Sequence, residues 1–329
     1  MAEWALEEVM SGRATSAQIA ALLMGLKVKG ETASEVIGFV EVMYRHAKTV
    51  NFPGRAVDCV GTGGDGANTI NISTSAAIVA AAAGATVIKH GSRAASSQSG
   101  SADVLVALGV ATELDGAGVA RCATELGIGF CFAPTFHPAM KNVAQTRREM
   151  GVTTVFNIVG PLSNPARPRA QAIGVADLRW LPVVADVLAA RGTDALVFRG
   201  DDGLDELTLS TTSTVCVVAN GDVVAAKFDP RELGIARVPK TALAGGSATE
   251  NAAATMAVLA GDLGPHRDAI LLNAAAALAT FHAPSQQAWS LNERIQAGLD
   301  AGAKAIDSGA ASALLGRWVE LSQSINSSQ

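Results

Sequence analysis

The chain has 329 residues, 49% of them apolar but only 4% aromatic, and carries a net charge of −5. That length holds one large domain or two unequal ones, with a core packed from small side chains. The acidic balance argues against a general nucleic-acid binder, which needs basic surface.

Taken in chain order, the N-terminus MAEWALEEVM has neither the basic nor the apolar segment of a secretory signal. Leu6, Val9 and Met10 mark a short helix ending near Gly12. Thr15 with Gln18, and Thr32 with Glu35, are capping-box pairs, each followed by a helical apolar face. Residues 57–60 read as a strand running into a glycine loop. An alanine helix over 76–83 then stops at Gly84, and a strand over 86–88 leads to a loop at Lys89-His90-Gly91. A helix over 102–108 and strands over 128–132 and 195–198 follow. Residues 215–218 and 223–224, joined by Asn220-Gly221, form a hairpin, and the last seventy residues are helical. This alternation predicts an α/β protein: a large, mainly parallel sheet domain with flanking helices plus a small all-helical domain. Residues 1–54 form the helical domain, joined by part of 138–168, and residues 55–137 and 169–329 form the large domain.

Cys59, Cys122, Cys131 and Cys216 are scattered without C-x-x-C spacing, which argues against a zinc site or a disulfide framework and suits buried thiols in the reducing cytoplasm. The most apolar run, 76–87, is too short to cross a bilayer and contains Gly84, so no membrane partner is expected.

The stretch GTGGDGANTINIST, residues 61–74, matches the dinucleotide pattern G-x-G-x-x-G by its letters. Its context does not fit. A polar insert, ANTINIST, delays the helix, and the next strand ends in Lys89 where a ribose-binding acid is required. The Walker pattern fails as well. What remains is an anion cradle: glycines that let backbone N–H groups turn inward, side chains of Asn68, Thr69, Asn71, Ser73 and Thr74, a helix N-terminus, and the charge of Lys89. A second polar segment, KHGSRAASSQSGSAD (89–103), repeats the strand–loop–helix arrangement, which suits a ligand with several phosphates. The strand at 195–198 runs into RGDDGLDE, and Asp205 and Glu206 there are candidate magnesium ligands. Arg147 and Arg148 lie on a basic helix where either can grip a carboxylate.

Together GTGGDGANTINIST, KHGSRAASSQSGSAD, FAPTFHPAMKNVAQTRRE, FNIVGPLSNPARP and GDDGLDEL stand in the order and spacing of the anthranilate phosphoribosyltransferase family, and the resemblance spans nearly the whole chain. It implies a pyrimidine nucleoside phosphorylase-like fold, a homodimer formed through the helical domain, and a step of tryptophan biosynthesis. In that step anthranilate takes the phosphoribosyl group of 5-phosphoribosyl 1-pyrophosphate (PRPP) with magnesium as cofactor. By resemblance Gly61, Gly64, Asp65, Thr69, Asn71, Ile72, Ser73, Thr74, Lys89 and Ser101 are PRPP ligands. Ser73, Asp205 and Glu206 are magnesium ligands. Gly61, Ser92, His137, Arg147 and Pro161 form the anthranilate side, and Lys89 and Arg147 are the catalytic pair. One departure stands out: the family usually reads KHGNR, and this chain has Ser92 in place of the asparagine. That substitution makes a paralogous transferase with a different aromatic acceptor the alternative reading.

Overall fold

A computed structural model of the chain describes residues 1–94 and 98–329. Three helices come first: α1 (Ala2–Met10), α2 (Ser16–Lys29) and α3 (Ala33–His46). Both capping boxes form, with the Thr15 and Thr32 hydroxyls accepting from the amides of Gln18 and Glu35. Each such cap contributes about 1 kcal/mol.

The sheet, among the described residues, has seven strands: β1 (Val57–Gly61), β2 (Val87–Gly91), β3 (Ile128–Phe132), β4 (Ala170–Gly174), β5 (Asp194–Gly200), β6 (Ser213–Ala219) and β7 (Asp222–Phe228). Their order is β3-β2-β1-β4-β5-β6-β7. The first five run parallel, and β6 and β7 are antiparallel. Asn220 and Gly221 turn the last hairpin with φ of 55° and 83°, the primed geometry that suits twisted strands.

The remaining helices are α4 (Ile72–Ala82), α5 (Ser101–Ala107), α6 (Gly116–Leu126), α7 (Ala133–Phe136), α8 (Lys141–Met150), α9 (Phe156–Leu162), α10 (Trp180–Ala190), α11 (Ala248–Leu259), α12 (Pro265–Phe281), α13 (Leu291–Asp307) and α14 (Ala310–Asn326). On one face of the sheet α4 packs on α12, and Ala76, Ala77 and Ala80 are buried in the same core as the alanines 274–277. Alanines let these two helices approach closely, which explains a core with few aromatics. A second core, beneath the opposite face, joins α1–α3, Val143 of α8, α9 and α10 to Ile173, Ala195 and Val197 of the sheet.

Several elements differ from the sequence reading. Helix α4 runs from Ile72 to Ala82, starting four residues before the expected 76, so the end of the polar insert lies in its first turn. β2 does not stop at Ile88 but continues through Lys89, His90 and Gly91, because pairing with Phe130, Cys131 and Phe132 of β3 carries it on. Helix α5 starts at Ser101 and ends at Ala107, one residue earlier than expected. Strand β4 has no signature in the sequence: AQAIG is short, and its polar Gln171 is buried through a bond to the Pro161 carbonyl (3.3 Å). Helices α6 and α10 have no counterpart in that reading either.

Candidate active site

The chain leaves β1 toward β2 on one side, while β4 lies on the other. The carboxyl ends of β1 and β4 therefore form the crevice where open α/β sheets bind ligands. GTGGDGANTINIST fills that crevice. Gly63, Gly64, Gly66 and Asn68 all have positive φ, so the loop coils back on itself, and Asp65 accepts from the Ala67 amide (3.1 Å). Ile72 turns its side chain into the core and donates its amide to the Ile70 carbonyl (2.7 Å), so it shapes the cradle. Ser73 and Thr74 lie in the first turn of α4, which starts at Ile72, and Thr74 keeps a buried hydroxyl with no partner among the described residues. Lys89 is buried; its ammonium donates to the Cys59 carbonyl and to Ser73 Oγ (3.3 Å). Ser101, the first residue of α5, packs close to Gly91. Of KHGSRAASSQSGSAD, residues 95–97 lie outside the described residues.

The acidic turn divides into two pairs. Asp201 is bound by Lys227 (2.7 Å) and Asp202 by Thr208 (2.8 Å), which makes them struts of the turn. Asp205 and Glu206 instead cross over the ends of β1 and β4. Asp205 Oδ2 accepts from the Gly63 amide (2.7 Å). A Cβ on Gly61 would stand 2.4 Å from Asp205 Oδ2, and one on Gly174 would stand 1.6 Å from the Asp205 carbonyl oxygen. Both strands must therefore end in glycine for the acids to lie where they do. Asn273 of α12 holds the turn from below, accepting from the Leu207 amide (2.9 Å) and donating to its carbonyl (3.1 Å). Burial, with Asp65 close by, pushes the Asp205 carboxyl up to about 7. Burial and Asp205 push Glu206 well above its ordinary value, against the pull of Lys89. Carboxylates that burial and mutual repulsion disfavour are stabilised by a divalent cation. Among the described residues no three His, Cys, Asp or Glu side chains form a full metal cage. Two carboxylates and a serine hydroxyl still fit magnesium, which takes its other oxygens from substrate and water.

Strand alternation sends neighbouring side chains of β2 to opposite faces of the sheet. Lys89 points toward α4 and the glycine loop, whereas the next residue, His90, points to the opposite face. There His90 Nδ1 lies 3.1 Å from the Gly160 carbonyl, and its ring centroid is 5.1 Å from that of His137. His137 Nε2 lies 3.0 Å from the Ser163 carbonyl, and the buried Pro161 completes this wall. His90 Nε2 and His137 Nδ1 are buried without a hydrogen-bond partner among the described residues. Beneath them the buried Asp58 accepts from the His90 amide (3.1 Å) and from Asn164 Nδ2 (2.9 Å), tying β1, β2 and the loop after α9 together. His90, Asp58 and Asn164 escaped the sequence reading. Polar residues inside a strand are legible only once their neighbours are known. Ser92 is exposed, and its carbonyl accepts from the Ala102 amide (3.1 Å).

The two imidazoles make a pH prediction. Burial pushes His90 down to about 3 and His137 to about 4, with His137 adding to the effect on His90. Unfolded, each takes up a proton near 6.5, so between pH 6.5 and 4 the unfolded chain binds more protons. The contribution of neutral burial is complete above 6.5 and is lost as pH falls through this window. From pH 6.5 to 5 that amounts to about 2 kcal/mol per ring. Burial raises Asp58 to about 6, which acts in the opposite sense as its carboxyl gains a proton. Denaturant titrations should therefore show a smaller stability loss between pH 7 and 5 in His137→Gln than in the unaltered chain. Parallel losses would refute the assignment.

Of the arginine pair, Arg148 is exposed and Arg147 is half-buried. Arg147 lies 5.3 Å from the Phe156 ring centroid and donates to Asn157 Oδ1 at 3.5 Å. Burial alone lowers its pKa, and among the described residues no carboxylate pairs with it. Asn157 and Thr153 also approach Gly64, and Lys27 of α2 donates to Thr153 Oγ1 (3.0 Å). The arginine is thus linked to the glycine cradle through Asn157, from the helical side.

The helical bundle domain of the glycosyl transferase family matches residues 1–47, and its a/b domain matches residues 53–312. The anthranilate phosphoribosyltransferase of Rhodococcus opacus (strain B4) is 57% identical over 328 residues, covering 100% of this chain and 90% of its own length. That of Acidothermus cellulolyticus is 58% identical over 322 residues, covering 98% and 90%. The crystal structure of the Thermus thermophilus enzyme of that name superposes with a TM-score of 0.90 at 40% identity, over 98% of this chain and 94% of that one. The Saccharomyces cerevisiae enzyme in complex with PRPP and Mg superposes at 0.83 with 29% identity, over 94% and 86%. With a seven-stranded sheet, a helical bundle and five motifs in register, this chain belongs to the anthranilate phosphoribosyltransferase family.

Proposed function

We infer that this chain transfers the 5-phosphoribosyl group of PRPP to the amine of anthranilate and releases pyrophosphate. One observation carries this reading. Consecutive residues of β2 point to opposite faces, Lys89 to a phosphate cradle and His90 to a wall of His137 and Pro161, so donor and acceptor half-sites meet at one strand end.

On this reading the residues divide by role. Gly61, Gly64, Asp65, Thr69, Asn71, Ser73, Thr74 and Ser101 surround the phosphates of PRPP. Asp205, Glu206 and Ser73 hold magnesium, which when bound neutralises charge developing on the leaving pyrophosphate. Lys89 adds a buried positive charge on the same side. Arg147 grips the anthranilate carboxylate, and His90, His137 and Pro161 flank the ring. Anthranilate's amine is neutral at pH 7 and nucleophilic without a strong base. The chain's contribution is to orient it against the ribose C1 and exclude water.

The helical unit is α1–α3 with α8 and α9, which pack in one core together with α10 and one face of the sheet, whereas Val50 and Phe52 pack with the large domain. We assign it the homodimer contact: Trp4 on α1 and Met24 and Val28 on α2 are exposed apolar residues there. Among the described residues no helix is long and apolar enough to cross a membrane, and all four cysteines are free and buried, which favours the cytoplasm.

Mixing the chain with PRPP, magnesium and anthranilate should extinguish anthranilate fluorescence and release one pyrophosphate per anthranilate consumed. Unchanged fluorescence, with pyrophosphate released when another aromatic amine is supplied, would move the chain to a different acceptor.

A further inference from the structure

Asn251 lies in the first turn of α11, 2% exposed, and is separated from the glycine loop by 180 residues of sequence. A buried asparagine inside a helix is costly unless both ends of its amide are bonded. It does not serve as the cap, because Ser247 and Glu250 already form the capping box of α11. Instead its Oδ1 accepts from the Gly246 amide (2.8 Å) and its Nδ2 donates to Asn71 Oδ1 (2.8 Å). Asn71 Nδ2 in turn donates to the Ser99 carbonyl (3.1 Å), just before α5. A backbone donor at one end and a backbone acceptor at the other fix the orientation of both amides.

The backbone beside this relay is equally constrained. Gly245 donates to the Asn68 carbonyl (2.8 Å), Ile70 donates to the Leu243 carbonyl (3.0 Å), and Thr69 bridges to Ala244. A Cβ on Gly245 would lie 2.6 Å from Ile70 N and Thr69 O, so only glycine lets this strap lie flat against the loop. Thr255, one turn further along α11, is hydrogen-bonded to Ser75 of α4 (2.8 Å).

We propose that Asn251 is a positioning residue for PRPP: the relay Gly246–Asn251–Asn71–Ser99 locks the glycine cradle to Ser99 at the entrance to α5, so that these two segments are set before the ligand arrives. This rests on the reading that these segments hold PRPP. Asn71 commits its Oδ1 and one Nδ2 hydrogen to the relay and keeps the second hydrogen for the ligand. Asn251 acts only through it, by sparing PRPP the cost of ordering the two segments.

Asn251→Asp preserves size and the Gly246 contact but removes the donor to Asn71. It should raise the PRPP KM about tenfold, the worth of one well-placed hydrogen bond. The anthranilate KM should stay within about twofold, as expected if the two half-sites are independent. The same should hold for Asn251→Ala. In Asn71→Ala, adding Asn251→Asp should raise the PRPP KM no further. The proposal is overturned by an unchanged PRPP KM with lowered Tm, by effects that multiply in the double variant, or by failure of both Asn251 variants to fold. Absence of any PRPP turnover by the unaltered chain would instead sink the parent reading.

Discussion

Replacing Arg147 by alanine is expected to raise the anthranilate KM by about 10- to 100-fold, the worth of about 1.5–3 kcal/mol for hydrogen bonds to a charged group. The PRPP KM should change by no more than about twofold, because the guanidinium is assigned to the acceptor carboxylate and reaches the cradle only through Asn157. Lysine should not restore the acceptor KM, since a point charge cannot reproduce two parallel N–H bonds to a planar carboxylate. Loss of the contact with Phe156 should lower stability by about 1 kcal/mol, a separate effect read from Tm. Steady-state kinetics with each substrate varied in turn decide the matter. Equal changes in both KM values would place Arg147 outside the acceptor site.

Gly174→Ala is expected to be more damaging than its position in an ordinary strand suggests. The added methyl group would fall 1.6 Å from the Asp205 carbonyl oxygen, a distance no contact tolerates. Either the acidic turn lifts off the sheet or β4 withdraws from β1, its partner through Gly61↔Gly174. Overpacking of this kind costs about 1–3 kcal/mol or more in stability. Displacement of Asp205 and Glu206 should reduce kcat/KM by about 100-fold, in line with a loss of about 3 kcal/mol of transition-state stabilisation. Excess magnesium should recover little of it, because the carboxylates are misplaced and not merely undersaturated. Gly192→Ala, at a left-handed position with open space and remote from the acids, serves as the control for backbone strain alone. If Gly174→Ala loses no more activity than Gly192→Ala, the crossing of the acids over β4 is not what sets the site.

Much of this architecture is legible in the chain itself. The capping boxes at Thr15 and Thr32 are readable because an N-cap is a local event, settled within four residues. Asn220-Gly221 is readable for the same reason: a two-residue hairpin demands positive φ at both positions. The glycine loop can be separated from a dinucleotide loop because the helix start and the strand end both fall within about thirty residues of it. By contrast β4 is illegible. A five-residue strand with a buried glutamine has no period of its own, and its pairing with β1 joins residues 57–61 to residues 170–174. Of the four acids of the RGDDGLDE turn, the sequence reading singles out Asp205 and Glu206, but only folding ties Asp201 and Asp202 into their own turn and brings Asp205 to the end of β1.

The class of protein, the two phosphate loops, the acidic turn and the basic helix, and hence the chemistry, were all set by the order of residues along the chain. Those are properties of residue types at short spacing, where local hydrogen bonding and backbone freedom decide the outcome. Long-range packing was needed to give Lys89 and His90 their partners on opposite faces of the sheet, to make Gly61 and Gly174 yield to Asp205, and to bring Asn251 to Asn71. Strand alternation, close approach of backbones and amide-to-amide bonding depend on which distant segments the core brings together, and no local pattern encodes that.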